Sequence, residues 1–268
     1  MRQVGLIGAG NMGSAILHGV VADGSIRAAQ LMVYDTNQKK TSDLANELPG
    51  LRVALDGNDL ARQCDVIVLA VKPQFMMGVI DGIRNSLNGK AVISIAAGWT
   101  VAMLADALDG TGATYLRVMP NTPAMVGEGM TALCDDSTFS KEDFAFAKSL
   151  FDALGRTVVL PERLFDGVTA ISGSSPAYVF MMIEAMADAG VKEGLPRACA
   201  YEMAAQAVLG SALMVLSSGT HPAALKDAVC SPAGTTIDAV EVLEKKGFRS
   251  AIMDAMAACA EKSRAMSK

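Results

Sequence analysis

Ten residues near the start constrain this chain most: Val4-Gly5-Leu6-Ile7-Gly8-Ala9-Gly10-Asn11-Met12-Gly13. A short apolar run leads into G-x-G-x-x-G, and a helical pattern follows over Met12–Ala22. Gly8 permits a tight turn, Gly10 lets backbone approach a pyrophosphate, and Gly13 lets a helix lie close on its strand. Phosphates then sit at the positive end of that helix. Arg2 followed by an apolar stretch to Ala22 also has the outline of a secretory leader. Glycines 5, 8, 10 and 13 interrupt it where a helical leader would be continuous, which favours the phosphate-loop reading.

The next 150 residues repeat the alternation such a loop requires. Apolar runs at Leu31–Asp35, Val66–Val71, Ala91–Ala97, Tyr115–Met119 and Arg156–Leu160 read as strands. Helical patterns at Lys39–Leu48, Phe75–Leu87, Val101–Leu108 and Lys141–Leu154 separate them. Continuous apolar strands alternating with helices predict a parallel sheet covered on both faces, a Rossmann-type α/β domain over residues 1–161.

After Pro161 the texture changes. Residues 162–268 show no strand-like run. They show three helical stretches, Phe165–Val191, Arg197–Leu216 and Thr236–Met266, the last broken near Gly247. Ala177-Tyr178-Val179-Phe180-Met181-Met182-Ile183 has no polar face. A helix apolar all round must be buried all round, and so few helices cannot bury every face alone. An all-helical domain that joins subunits, in a homodimer or higher homo-oligomer, is the expectation. The uncharged run Met203–Leu216 has 14 residues, short of the ~20 a membrane span needs.

Composition excludes several function classes. Net charge is −5, and Lys and Arg are scattered, so there is no electrostatic footprint for nucleic acid. Five cysteines lie far apart with no CxxC pair, which suits reduced thiols in the cytoplasm. Only His18 and His221 are present, so a zinc cluster or a Ser-His-Asp triad lacks its parts. No metal, nucleic acid or membrane partner is expected. A small-molecule substrate is.

Asp35 closes the second strand 22 residues after Gly13, where an acid would bond the adenosine ribose diol of NAD. Asn37, Lys39 and Lys40 follow at once and are placed to hold a 2′-phosphate; alternatively, Asp35 caps a helix and the lysines form a solvated face. The residues alone leave the cofactor open. Ala70-Val71-Lys72-Pro73, Ile95-Ala96-Ala97-Gly98 and Met119-Pro120-Asn121-Thr122-Pro123 fall at strand tips, the ligand edge of an open α/β sheet. Ser231-Pro232-Ala233-Gly234-Thr235-Thr236 joins hydroxyls and a glycine to a helix start, a carboxylate site in outline. Glu162 stands at the domain junction, where it could face a substrate cation or simply solvent.

Together, GAGNMG at 8–13, AVKP at 70–73, SIAAG at 94–98, MPNTPA at 119–124, SGSSPAY at 172–178 and LKDAVCSPAGTT at 225–236 resemble the bacterial Δ1-pyrroline-5-carboxylate reductase family. The resemblance runs through to LEKKGFRSA at 243–251. It implies a Rossmann domain, a helical dimerisation domain, NADPH or NADH as cofactor, and the last step of proline biosynthesis. By position it gives Gly8, Ala9, Gly10, Asn11, Met12 and Gly13 to the phosphate loop. It gives Ala70, Val71, Lys72, Pro73, Ile95, Ala96 and Ala97 to other cofactor contacts, and Asn58, one residue out of register, to the ribose. Thr236 falls beside the imine nitrogen as the catalytic hydroxyl, Gly234 and Thr235 in the carboxylate loop, and Glu162 near the ring nitrogen. Ala233 replaces a common Gly, and Asp35 stands where many members carry Ser or Thr. A β-hydroxyacid dehydrogenase would carry Lys on the first large helix of its second domain, and Ser175–Asp188 has none. A non-catalytic redox sensor would have no use for the Ser231–Thr236 loop.

Overall fold

Val4–Ile7, uncharged and wholly buried, forms β1, and Asn11–Ala22 forms α1 directly behind the glycine loop. The computed structural model describes residues 2–266. The order continues β2 (Leu31–Tyr34), α2 (Gln38–Glu47), β3 (Arg52–Val53), α3 (Gly57–Gln63), β4 (Val66–Leu69), α4 (Met76–Ile83), β5 (Ala91–Ser94) and α5 (Val101–Leu108). Then come β6 (Thr114–Met119), β7 (Gly129–Cys134), α6 (Lys141–Asp152), β8 (Gly155–Leu160) and the short α7 (Phe165–Val168). The strands make one sheet in the order β3-β2-β1-β4-β5-β6-β7-β8.

β1 lies between β2 and β4, with Val4 opposite both Leu31 and Val66. The chain therefore reverses its direction of travel across the sheet at the β1–β4 boundary, the switch point where such sheets bind ligands. Two apolar layers cover the faces. One packs Ile16, Leu17, Leu44 and Phe151 on one side, and the other packs Leu60, Ile80, Ile83 and Leu104 on the other.

The sheet is not wholly parallel, as the strand alternation suggested. β7 runs antiparallel to β6, with Val118 opposite Leu133, and parallel to β8. The link from Pro120 to Glu128 holds one 3₁₀ turn and no crossover helix, so it can only return the chain alongside. β7 gives little strand signal in the sequence because Thr131 and the small residues of Gly-Met-Thr-Ala-Leu-Cys dilute its apolar run. β3 and α3 give little signal in the sequence either; β3 is two residues long, and α3 spans only seven, with Leu60 and Ala61 buried among Asp59, Arg62 and Gln63.

The expected continuous helix over Phe165–Val191 is broken. α7 passes into a π turn at Thr169–Gly173, closed by the Ser174 N–H donating to Thr169 O at 2.9 Å. Pro176 has no N–H to offer the Ser172 carbonyl, so the regular ladder fails there. The Asn121 side chain supplies the missing donor, Nδ2 to Ser172 O at 3.0 Å.

Two compact units result. One holds the sheet and runs on to Ser174, taking back the final segment from Cys259; the other spans Ser175–Ala258. In the sheet unit, Ser263 Oγ donates to Asp166 Oδ1 at 2.6 Å and Cys259 Sγ to Ser174 Oγ at 3.2 Å. The second unit is helical: α8 (Ser175–Lys192), α9 (Arg197–Ser218), α10 (Pro222–Val229), α11 (Thr235–Lys245) and the first part of α12 (Phe248–Met266). α8 and α9 form a hairpin in which Gly190 faces Leu195 and Ala200 at close contact.

Candidate functional site

The glycine loop is built around its own backbone. The Gly8 N–H donates to Tyr34 O at 2.8 Å and Gly8 takes φ +109, a conformation only glycine enters freely. A Cβ on Gly8 would lie 2.5 Å from Ala70 O, so Ala70 and Val71 press directly on the loop. A Cβ on Gly13 would lie 2.1 Å from Gly8 O. A Cβ on Gly10 would meet nothing within 4 Å. Gly8 and Gly13 are thus required by packing, whereas Gly10 leaves open room in front of α1. No side chain caps α1, so its first amides remain available to an anion.

The strand tips gather beside this loop by register. The Ala70 N–H donates to Ile7 O at 2.8 Å and the Ile95 N–H to Leu69 O at 3.3 Å. Ala70, Val71, Ile95 and Ala96 therefore follow one another along the carboxyl edge of β4 and β5. Lys72 is exposed, and Pro73 O accepts from Trp99 Nε1 at 3.1 Å, which fixes the 72–73 turn against the 97–99 turn.

Asp35 follows β2, and its carboxylate is shared between two backbone donors. Oδ2 accepts from the Ala9 N–H at 2.7 Å and Oδ1 from the Asn37 N–H at 2.8 Å. It does not cap α2, as the plainer reading allowed. Asn37 does, its Oδ1 accepting from the Lys39 N–H at 3.2 Å. A cleft of about 260 Å³ runs from Ala9, Gly10 and Asn11 past Ser14 to Lys40, Asp43 and Glu47. Lys40, rather than Lys39, is the lysine on that cleft.

Three other expected residues have structural partners. Asn58 donates through Nδ2 to Gly82 O at 2.6 Å and accepts from Ser86 Oγ at 3.0 Å, tying α3 to the end of α4. Asn121, besides its bond to Ser172 O, accepts from the Met130 N–H at 2.8 Å. Glu162 Oε1 accepts from Arg117 Nη1 at 2.7 Å and from the Val101 N–H at 2.6 Å. Arg117, only 5% exposed, lies with its guanidinium 4.7 Å over the Phe165 ring. The sequence marked Glu162 but gave no sign of Arg117, whose partner lies 45 residues away.

In the helical unit, the Gly234 N–H donates to Ser231 O at 3.1 Å, closing a turn over Pro232 and Ala233. Ala233 has φ +55, the left-handed position where such a turn prefers glycine. A Cβ on Gly234 would strike Ser231 Oγ at 2.3 Å. α11 begins at Thr235 with no side chain on its free amides, and Thr236 is half-buried in its first turn.

The same unit exposes much apolar surface, including Phe180 (63%), Met181 (69%), Met203, Leu213, Met214 and Leu216. α9 is 22 residues, and by length and composition alone it could cross a membrane, with few of its residues buried in this chain.

Comparison with known proteins places the whole chain. Residues 162–266 match the family model described as pyrroline-5-carboxylate reductase dimerisation, and residues 3–98 match NADP oxidoreductase, coenzyme F420-dependent. A pyrroline-5-carboxylate reductase of Escherichia coli (strain K12) is 49% identical over 268 residues, covering 100% of this chain and 99% of that protein. One from Methanosarcina acetivorans is 42% identical, covering 100% and 98%. The crystal structure of Plasmodium falciparum pyrroline carboxylate reductase with NADP bound superposes with a TM-score of 0.90, at 36% identity and 100% and 98% coverage. On end-to-end similarity at this level, the chain belongs to the pyrroline-5-carboxylate reductase family.

Proposed function

We propose that the chain reduces the C=N bond of Δ1-pyrroline-5-carboxylate to L-proline with NADPH or NADH, the last step of proline biosynthesis. The observation that carries the reading is the open cradle at Gly10, at the switch point of a sheet whose whole chain matches these reductases. The cradle suits a dinucleotide: the uncapped amides of α1 would take the phosphates, and Ala70, Val71, Ile95, Ala96 and Ala97 offer apolar side chains and backbone along the same edge. When bound, the dihydronicotinamide supplies the hydride for the imine carbon.

The protein's contribution is then positioning. The Gly234 and Thr235 amides, with Ser231, would take the substrate carboxylate at the uncapped start of α11. Thr236 would accept from the iminium N–H and donate to the lone pair that nitrogen gains from the C=N π bond as hydride adds to carbon, a single hydroxyl serving both states. The imine can arrive protonated, so a chain with two histidines lacks nothing. Glu162 keeps its place in the Arg117 junction. The apolar faces of α8 and α9 are covered by a second copy, in a homodimer or larger homo-oligomer. All five cysteines are free, which suits a reducing compartment, and we place the enzyme in the cytoplasm.

The test is dihydronicotinamide absorbance with purified protein. It should fall on adding Δ1-pyrroline-5-carboxylate, with proline formed mole for mole. Oxidation driven instead by a β-hydroxyacid–ketoacid pair, with the imine inert, would overturn the assignment.

A further inference from the structure

We infer that Asp35 sets the balance between NADH and NADPH in this enzyme, and that its carboxylate is what lets NADH compete. The inference rests on the cofactor reading above and adds the residue that reads the adenosine ribose. Three observations carry it.

The first is placement. Asp35 lies at the carboxyl end of β2, beside the switch point, where the 2′ substituent of the ribose falls in a dinucleotide domain of this topology. The second is rigidity. Oδ2 is bonded to the Ala9 N–H and Oδ1 to the Asn37 N–H, so the carboxylate cannot swing away from a cofactor seated on Gly10. A carboxylate offers about four lone-pair positions. Two are used by these donors, and the remainder can accept from ribose hydroxyls. Against a 2′-phosphate the same fixed anion is repulsive.

The third is the charge around it. The cleft beyond Ala9 and Gly10 carries Lys40 but also Asp43 and Glu47. Glu47 is met by His18 Nε2 at 3.1 Å. Lys39 is exposed and off the cleft, and the Asn37 side-chain oxygen is occupied in capping α2. On the cleft itself Lys40 is therefore opposed by carboxylates at 43 and 47, and Asp35, bonded to Ala9 of the cleft wall, adds a third negative charge beside it. Such a pocket accepts a diol readily and a 2′-phosphate only through Lys40.

Asp35 has a second duty, since it clamps the glycine loop through Ala9. A variant at 35 that only loosened the loop would weaken both cofactors alike. A variant that removed a selective charge would move them in opposite directions. The ratio of the two affinities separates these cases without any substrate present.

The experiment is equilibrium titration of the full-length protein with NADPH and with NADH, followed by nicotinamide fluorescence, for the native chain, Asp35→Ser and Asp35→Asn. Thermal melts run alongside report the clamp. In both variants the ratio Kd(NADH)/Kd(NADPH) should rise by about tenfold or more, with NADPH bound more tightly than by the native chain. Lys40→Ala should shift the ratio the other way. An unchanged ratio with both affinities reduced would make Asp35 a loop clamp only and overturn the inference. Because no imine is added, that outcome would leave the assignment of the reaction untouched. Failure of either cofactor to bind the native chain would instead bring down the cofactor reading itself.

Discussion

Gly10 and Gly13 lie one helical turn apart, and the geometry assigns their substitutions opposite consequences. Gly10 has φ −81 and ψ −175, an extended conformation open to any residue, and a Cβ there meets no atom within 4 Å. Gly10→Val should leave folding stability within about 1 kcal/mol, since the small cost of losing glycine at a helix cap is offset by a stiffer unfolded chain. Its side chain would fill the space proposed for the pyrophosphate. Losing a phosphate held by free helix amides removes about 3 kcal/mol, roughly a hundredfold in Kd. Gly13→Ala is the reverse case. Its Cβ would lie 2.1 Å from Gly8 O and 2.9 Å from Leu6 Cδ2, so the loop must retreat by more than about 1 Å to reach ordinary contact. Overpacking of that kind costs about 3 kcal/mol, or roughly 6–12 °C in Tm for a unit of this size. Melting curves and cofactor titration of the two variants form the assay. Unchanged NADPH affinity in a folded Gly10→Val protein would refute the phosphate cradle; a Gly13→Ala protein with native Tm would refute the packing argument.

Three further outcomes follow from named contacts. Arg117→Ala leaves Glu162 without its buried partner and removes the stack on Phe165, so stability should fall by about 3 kcal/mol in thermal or urea unfolding. Burial pushes the Cys64 and Cys134 thiols up to about 11, so iodoacetamide near pH 8 should spare both and label exposed Cys199, as peptide mass spectrometry would show. The folded chain also keeps two protons that the unfolded chain releases, so stability should drop as pH rises from about 9 to 11. Thr236→Ala should lower kcat by about ten- to a thousandfold with NADPH affinity unchanged, and a change in KM alone would make Thr236 a binding residue only.

What was legible in the sequence was what repeats locally. The glycine spacing placed β1, the loop and α1, and strand–helix alternation placed most of the sheet. Hidden features depended on partners far along the chain. β7 is a strand because Val118 and Met119 pair with it, not because its own residues insist. The π turn at Thr169–Gly173 follows from Pro176, which was readable, and from Asn121, whose bond to Ser172 O spans 51 residues. Asn121 sits in a motif that marks the cofactor edge and Asn58 falls near the ribose by resemblance, yet their side chains hold backbone in place. A motif identifies the segment that borders a ligand without saying which of its atoms face it.

The central claim, direct hydride transfer to the imine carbon, is tested most directly with NADPH deuterated at nicotinamide carbon 4, prepared as each of the two stereoisomers. The purified chain is supplied with Δ1-pyrroline-5-carboxylate, and the proline formed is examined by mass spectrometry and NMR. One deuterated isomer should place a single deuterium at the δ carbon of proline, and the other should place none, because a fixed cofactor presents one face. Proline free of deuterium from both isomers, or labelled equally by both, would contradict the account.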